Sequence, residues 1–183
     1  MPAKRHKSIA LESCTRCPLH RTRRKVVWGR GTSPADLLFL GEAPGRVEDL
    51  RGQPFVGPSG QLLDEMIREA AARIQIDIPT YFITNCVMCH PTERKGGDNR
   101  PPTSSEVVAC MDNVMQIYRQ VRPEIVVFVG RVPERYYAKE FPIHETILHP
   151  AYLLRQGGKA SSHYLTTVRR LEDIFMEVTD AEA

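Results

Sequence analysis

The sequence predicts an α/β fold: a three-layer α/β/α sandwich with a central, mostly parallel four-stranded sheet. Three observations lead there. Short β-like runs alternate with longer amphipathic runs, the order expected of a parallel sheet with helices on both faces. The run IVVFV at Ile125 is continuously apolar, as suits a strand covered on both sides. A glycine-rich loop, GEAPG, follows the apolar run DLLFL, and in such sheets ligands bind beyond the carboxyl ends of strands.

The strands are expected at Asp36 to Leu40, Tyr81 to Thr84, Ile125 to Val129 and Glu145 to Leu148. Between the first two, SGQLLDEMIREAAARI is amphipathic, with Ser59 as its N-cap. TSSEVVACMDNVMQIYRQV opens with Thr103 and Glu106 at the spacing of a capping box. A final helix is expected from Ala160 through Glu177, and GGDNRPPTSS from Gly96 reads as a loop because turn formers dominate it.

A length of 183 residues suits one domain, 1–183, with a sizeable core. Hydrophobic content of 42% and charged content of 26% are ordinary for a globular chain, and no apolar run is long enough to span a bilayer. MPAKRHKSIALESC has basic residues without an apolar h-region, so a cytoplasmic monomer, not a secreted or membrane protein, is expected. The net charge is only +3, yet Arg21, Arg23, Arg24, Lys25 and Arg30 crowd one segment. Such a run is either a solvated face or a phosphate-contacting surface. Five cysteines, an odd number in a chain of this kind, argue against a disulfide framework and raise metal or cluster ligation instead.

The loop LFLGEAPGRVEDLRGQPFVG matches neither the dinucleotide fingerprint nor the P-loop. Glycine allows close approach of a ligand and Pro44 stiffens the turn, so Gly41 to Gly45 are suited to line a tight pocket with backbone N–H groups. Phe55 is then either an aromatic plate beside that pocket or an ordinary core residue.

GEAPGRVEDLRGQPFVGPSGQLL closely resembles the first signature of the family 4 uracil-DNA glycosylases, the iron-sulfur branch of their superfamily. TNCVMCHP resembles the family's asparagine-to-cysteine segment and HPAYLLR its late His-Pro motif; the three stand in the family's order and the similarity extends over nearly the whole chain. The resemblance implies a monofunctional enzyme that flips uracil out of single- or double-stranded DNA and hydrolyses its N-glycosidic bond, leaving an abasic site. It implies that Phe55 stacks on the base and that Asn85 reads its edge, since a side-chain amide offers both a donor and an acceptor. From the residues alone, the alternative for Asn85 is a strand-end residue satisfied by nearby backbone. His149 would donate to uracil O2 as the base leaves. Gly41 and Ala43 line the pocket, and Glu42 is the carboxylate assigned to the sugar and water, with Glu48 and Asp49 as second choices. Ala43 stands where better-known relatives carry aspartate, and Gly45 where they carry a thymine-excluding tyrosine; Glu48 is the guess for the replacement wall.

Tyr152, Leu153, Leu154 and Arg155 read as an apolar and basic tip for the gap left by the base, although a leucine here can equally begin a core-packed helix. Arg169 and Arg170 are further phosphate candidates. The resemblance also implies a [4Fe-4S] cluster held by Cys14, Cys17, Cys89 and Cys110, tying an N-terminal arm of about residues 1–30 to the domain. The same four thiolates suit structural zinc, so spacing leaves the metal open. Cys86 is the spare, expected as a small buried hydrophobe. ERKGGDNR, between Cys89 and Cys110, lengthens that segment beyond the family pattern. Two alternatives share the sequence: action on another deaminated or modified base, and a non-catalytic DNA-binding module.

Overall fold

The computed structural model describes residues 13–181; the first twelve residues of the expected arm lie outside the described residues. Five strands form one sheet in the order β1-β3-β2-β4-β5: β1 is Arg30–Gly31, β2 Leu37–Gly41, β3 Tyr81–Asn85, β4 Ile125–Val129 and β5 His144–Ile147. All pairings are parallel except β1 with β3. The expectation of four strands is thus corrected to five. β1 is two residues long, too short to carry a periodicity.

Among the described residues six α-helices surround the sheet: α1 Arg46–Arg51, α2 Pro58–Ile74, α3 Ser104–Val121, α4 Arg131–Tyr137, α5 Pro150–Arg155 and α6 Ser162–Ala181. They cover both faces. Alternation along β2 sends Leu37 and Phe39 to one side, where they meet Leu63 and Met66 of α2 and Leu171 and Ile174 of α6. Leu38 and Leu40 go to the other, against Val107, Val114 and Ile117 of α3 and Tyr137 of α4. Each such buried aliphatic side chain contributes about 1.5–3 kcal/mol, and the five fully buried residues of β4 explain why IVVFV shows no alternation.

The capping box of α3 forms as expected: the Glu106 amide donates to Thr103 Oγ1 at 3.3 Å and the Thr103 amide to Glu106 Oε2 at 2.8 Å. In α2 the cap is Gly57 rather than Ser59, because Pro58 takes the first helical position, where its missing N–H costs nothing. The final helix begins two residues later than expected, after a short 3-10 turn at Gly158–Ala160. Among the described residues no helix is long and apolar enough to cross a membrane.

Candidate active site

Register places the site. Gly41, at the end of β2, pairs directly with Asn85, at the end of β3, and His149 follows β5 by two residues. The carboxyl ends of these parallel strands therefore open into one pocket of about 650 Å³, lined by Glu42, Ala43, Phe55, Asn85 and His149 among others.

Asn85 is 1% exposed, and neither its Oδ1 nor its Nδ2 has a hydrogen-bond partner. The backbone-satisfied alternative is excluded. A buried amide left unpaired costs about 1–3 kcal/mol, so its two groups form an acceptor and donor pair waiting for a complementary edge. Gly41 makes room for it: a Cβ there would lie 2.5 Å from both Asn85 Oδ1 and Phe55 Cζ.

Phe55 belongs to the core and to the pocket at once. It is 7% exposed and packed into the sheet face that carries α2 and α6, while its ring also lines the cavity. Its φ of 52° is left-handed, a conformation that non-glycine residues seldom adopt. Gly60 permits the turn, because a Cβ there would fall 1.8 Å from the Phe55 carbonyl oxygen.

His149 caps α5, its Nδ1 accepting the Ala151 amide at 3.1 Å. With Nδ1 an acceptor, the proton of the neutral ring sits on Nε2, which becomes the donor. Burial, and secondarily the charge of Arg155, hold its pKa below the ordinary histidine value. Glu42 shows the opposite shift: burial raises its carboxyl above the ordinary range. A neutral donor and a poorly hydrated carboxylate therefore share one cavity.

The other two acids serve the fold. Glu48 Oε1 accepts the amides of Val56 and Gly57 at 3.1 and 2.8 Å, and Oε2 accepts Gly45 at 3.2 Å, so one carboxylate ties the glycine loop to the Phe55 loop. Asp49 is fully buried and accepts the Arg24 and Lys25 amides at 2.8 and 3.3 Å, anchoring the arm instead of entering the pocket.

The model of the uracil DNA glycosylase superfamily matches residues 28–172 of this chain. A type-4 uracil-DNA glycosylase of Thermotoga maritima is 33% identical over 165 residues, 81% of each chain. The chain belongs to the type-4 branch of the uracil-DNA glycosylase superfamily. A type-4 uracil-DNA glycosylase of Archaeoglobus fulgidus is 38% identical over 136 residues, 74% of this chain and 64% of that one. One from Saccharolobus solfataricus is 37% identical over 130 residues, 71% and 56%. The chain thus spans less than two thirds of these two archaeal relatives.

For this type-4 chain the cluster expectation is corrected. Cys14, Cys17, Cys89 and Cys110 line one small pocket of about 10 Å³, space for about one water molecule. Among the described residues no group of three or more His, Cys, Asp or Glu is arranged to hold a metal ion. All five cysteines are free, and burial pushes the thiol of Cys89 up to about 12. Cys86 is fully buried in the core, as expected of a small hydrophobe.

The α5 tip divides. Leu153 is fully buried in the core and so cannot meet DNA from where it stands, whereas Leu154 is 40% exposed and Arg155 is exposed. Tyr152 packs partly against the core, its ring 5.8 Å from that of His163. The basic segment divides too. Arg21, Arg24 and Lys25 are exposed, while Arg23 donates to the Cys14 carbonyl at 2.7 Å and Arg30 turns toward the Phe55 loop. Arg170 pairs with Glu145 and Asp173, leaving Arg169 exposed.

The family signatures leave the pocket residues of the extended segment unmarked. Asn99 and Arg100 reach the rim from the extended segment. Buried His90 meets Asn99 Oδ1 through Nε2 at 2.7 Å, and Arg100 is locked to Glu106 through Nη1 and Nη2. Only the turn-forming composition of that segment hinted at a folded rim.

Proposed function

We propose that the protein, a single domain, hydrolyses the N-glycosidic bond of uracil in DNA after flipping the base into the pocket, and releases uracil from an abasic site. The observation that carries the reading is the unpartnered, buried amide of Asn85 in a pocket with Phe55 and His149. Its Nδ2 donates to uracil O4 and its Oδ1 accepts from N3–H; cytosine, with an amino group at C4 and an acceptor at N3, meets it donor to donor and acceptor to acceptor. Phe55 supplies the stacking surface.

As the bond between C1′ and N1 breaks, its electron pair leaves with the base and negative charge gathers on O2. The Nε2–H of neutral His149 donates there, in the manner of an oxyanion hole. Positive charge develops on the sugar, and the Glu42 carboxylate stabilises it and orients the water whose oxygen bonds C1′. The proton lost by that water balances the one taken up by the departing uracil anion. Among the described residues no lysine lines the pocket, which supports a reaction that ends at the abasic site.

Glu48 supplies the wall against thymine: its Oε2 lies 3.0 Å from where a Cβ of Gly45 would stand. Leu154 and Arg155 enter the gap left by the base, and exposed Arg21, Arg24, Lys25, Arg94 and Lys95 face phosphates. The test is incubation with an oligonucleotide carrying one uracil, then alkaline cleavage, for wild type beside Asn85→Ala. A strand cut at uracil by wild type and spared by the variant is the expected outcome; no cutting by folded wild-type protein overturns the reading.

A further inference from the structure

Phe55 is held from both sides of its peptide. On one side Glu48 takes the amides of Val56 and Gly57. On the other Arg30, from the short edge strand, donates Nε–H to the Pro54 carbonyl at 3.0 Å and an Nη2 proton to the Phe55 carbonyl at 3.4 Å. Asp64 of α2 pairs with the same Arg30 nitrogen at 2.5 Å, which sets the fork and compensates its charge in a part-buried position. Consecutive carbonyls can be bridged by a planar guanidinium and not by the point charge of a lysine.

This arrangement has a consequence for the pocket. Phe55 sits at a φ of 52°, and that turn lays its ring where a Cβ on Gly41 would be 2.5 Å away. A left-handed conformation of a bulky residue persists only where its surroundings over-determine it. We infer that Arg30, anchored by Asp64, is a positioning residue that fixes Phe55 as the base-stacking plate of the pocket. It acts through Phe55 and touches no substrate. The inference rests on the proposed uracil reaction for its kinetic consequence, and on geometry alone for the placement of the ring.

A double-mutant cycle tests it. Arg30→Met should lower kcat/KM for uracil excision on the order of tenfold, and Arg30→Lys, which keeps the charge beside Asp64 but loses the fork, by an intermediate factor. In a Phe55→Ala background Arg30→Met should have less than a twofold effect, on the order of experimental scatter. Affinity for an abasic-site duplex, which has no base to stack, should stay within about twofold of wild type. Equal losses in both backgrounds, or a matching loss of abasic-site affinity, would overturn the inference. A second readout is independent of catalysis. With Trp28, the only tryptophan, changed to Phe and Phe55 changed to Trp, Arg30→Met should increase acrylamide quenching of the reporter; unchanged quenching contradicts the positioning role. Wild type that excises no uracil would refute the function reading while leaving this result interpretable.

Discussion

The rings of Phe55 and His149 stand 6.2 Å apart, centroid to centroid, with their planes tilted by 33°. One comes from the loop before α2 and the other from the cap of α5, and the sheet register brings both to Asn85. His149 is held by its Nδ1, so only Nε2 is left for a ligand. His149→Ala should therefore lower the single-turnover rate on uracil DNA by about two orders of magnitude, the scale of one lost oxyanion donor. Rapid-quench kinetics measures it, and a loss below threefold would remove His149 from the chemistry.

On the proposed reading, Asn85 carries a cost that is recovered on binding. In the free protein its amide is buried and unpaired, so Asn85→Leu should leave the thermal midpoint unchanged or raised while uracil excision falls by about two orders of magnitude. Calorimetry beside the excision assay distinguishes this from a structural asparagine, whose loss would lower the midpoint.

Acid should switch the site off through two groups. In the proposed reaction Glu42 acts ionised, and burial raises its carboxyl above the ordinary range; His149 acts neutral, and burial, with the charge of Arg155, holds it below the ordinary histidine value. Both lose function by taking up a proton, so the rate should fall as pH drops, approaching a slope of two protons. In Glu42→Gln the limb should flatten to one proton. A limb centred above the ordinary histidine value would contradict the burial of His149.

Leu153 and Leu154 are adjacent and should respond oppositely. Leu153→Ala empties a core position and should cost about 2–5 kcal/mol of stability. Leu154→Ala, at an exposed position, should stay within about 0.5 kcal/mol yet reduce excision from duplex more than from single strands, where no gap needs filling. Denaturant melts and paired substrates check both.

Exposed Arg94 and Lys95 lie on the lengthened segment, whose Gly96 approaches Arg24 of the arm. Replacing both with alanine should flatten the dependence of log K on log salt for duplex binding by about 1.8, two phosphate contacts' worth. Arg30→Ala should leave that slope unchanged, because its side chain faces the Phe55 loop.

Strands and long helices were legible because their patterns are periodic: β4 lies where IVVFV placed it, and the Thr103 box opens α3. β1, α1 and α4 are too short to display a period. Motifs marked residues that the fold gathers in one pocket, while their partnerships stayed hidden. Nothing local in GRG at Gly29 says that Arg30 bonds the carbonyls at Pro54 and Phe55, because its partner Asp64 lies 34 residues away. Asp49 is a second choice for the sugar carboxylate by its place in the motif, yet main-chain amides of the arm fill its Oδ1. The family resemblance implies a cluster at Cys14, Cys17, Cys89 and Cys110, while in the fold the four thiols surround space for about one water molecule.

The most direct test of the central claim is single-turnover excision from a single-uracil oligonucleotide, single- and double-stranded, by wild type, Asn85→Ala and His149→Ala. The account predicts an alkali-labile site and free uracil with wild type, about a hundredfold loss in each variant, and no release from thymine or cytosine controls. Folded wild-type protein that binds DNA but releases no uracil from either strand form would contradict it.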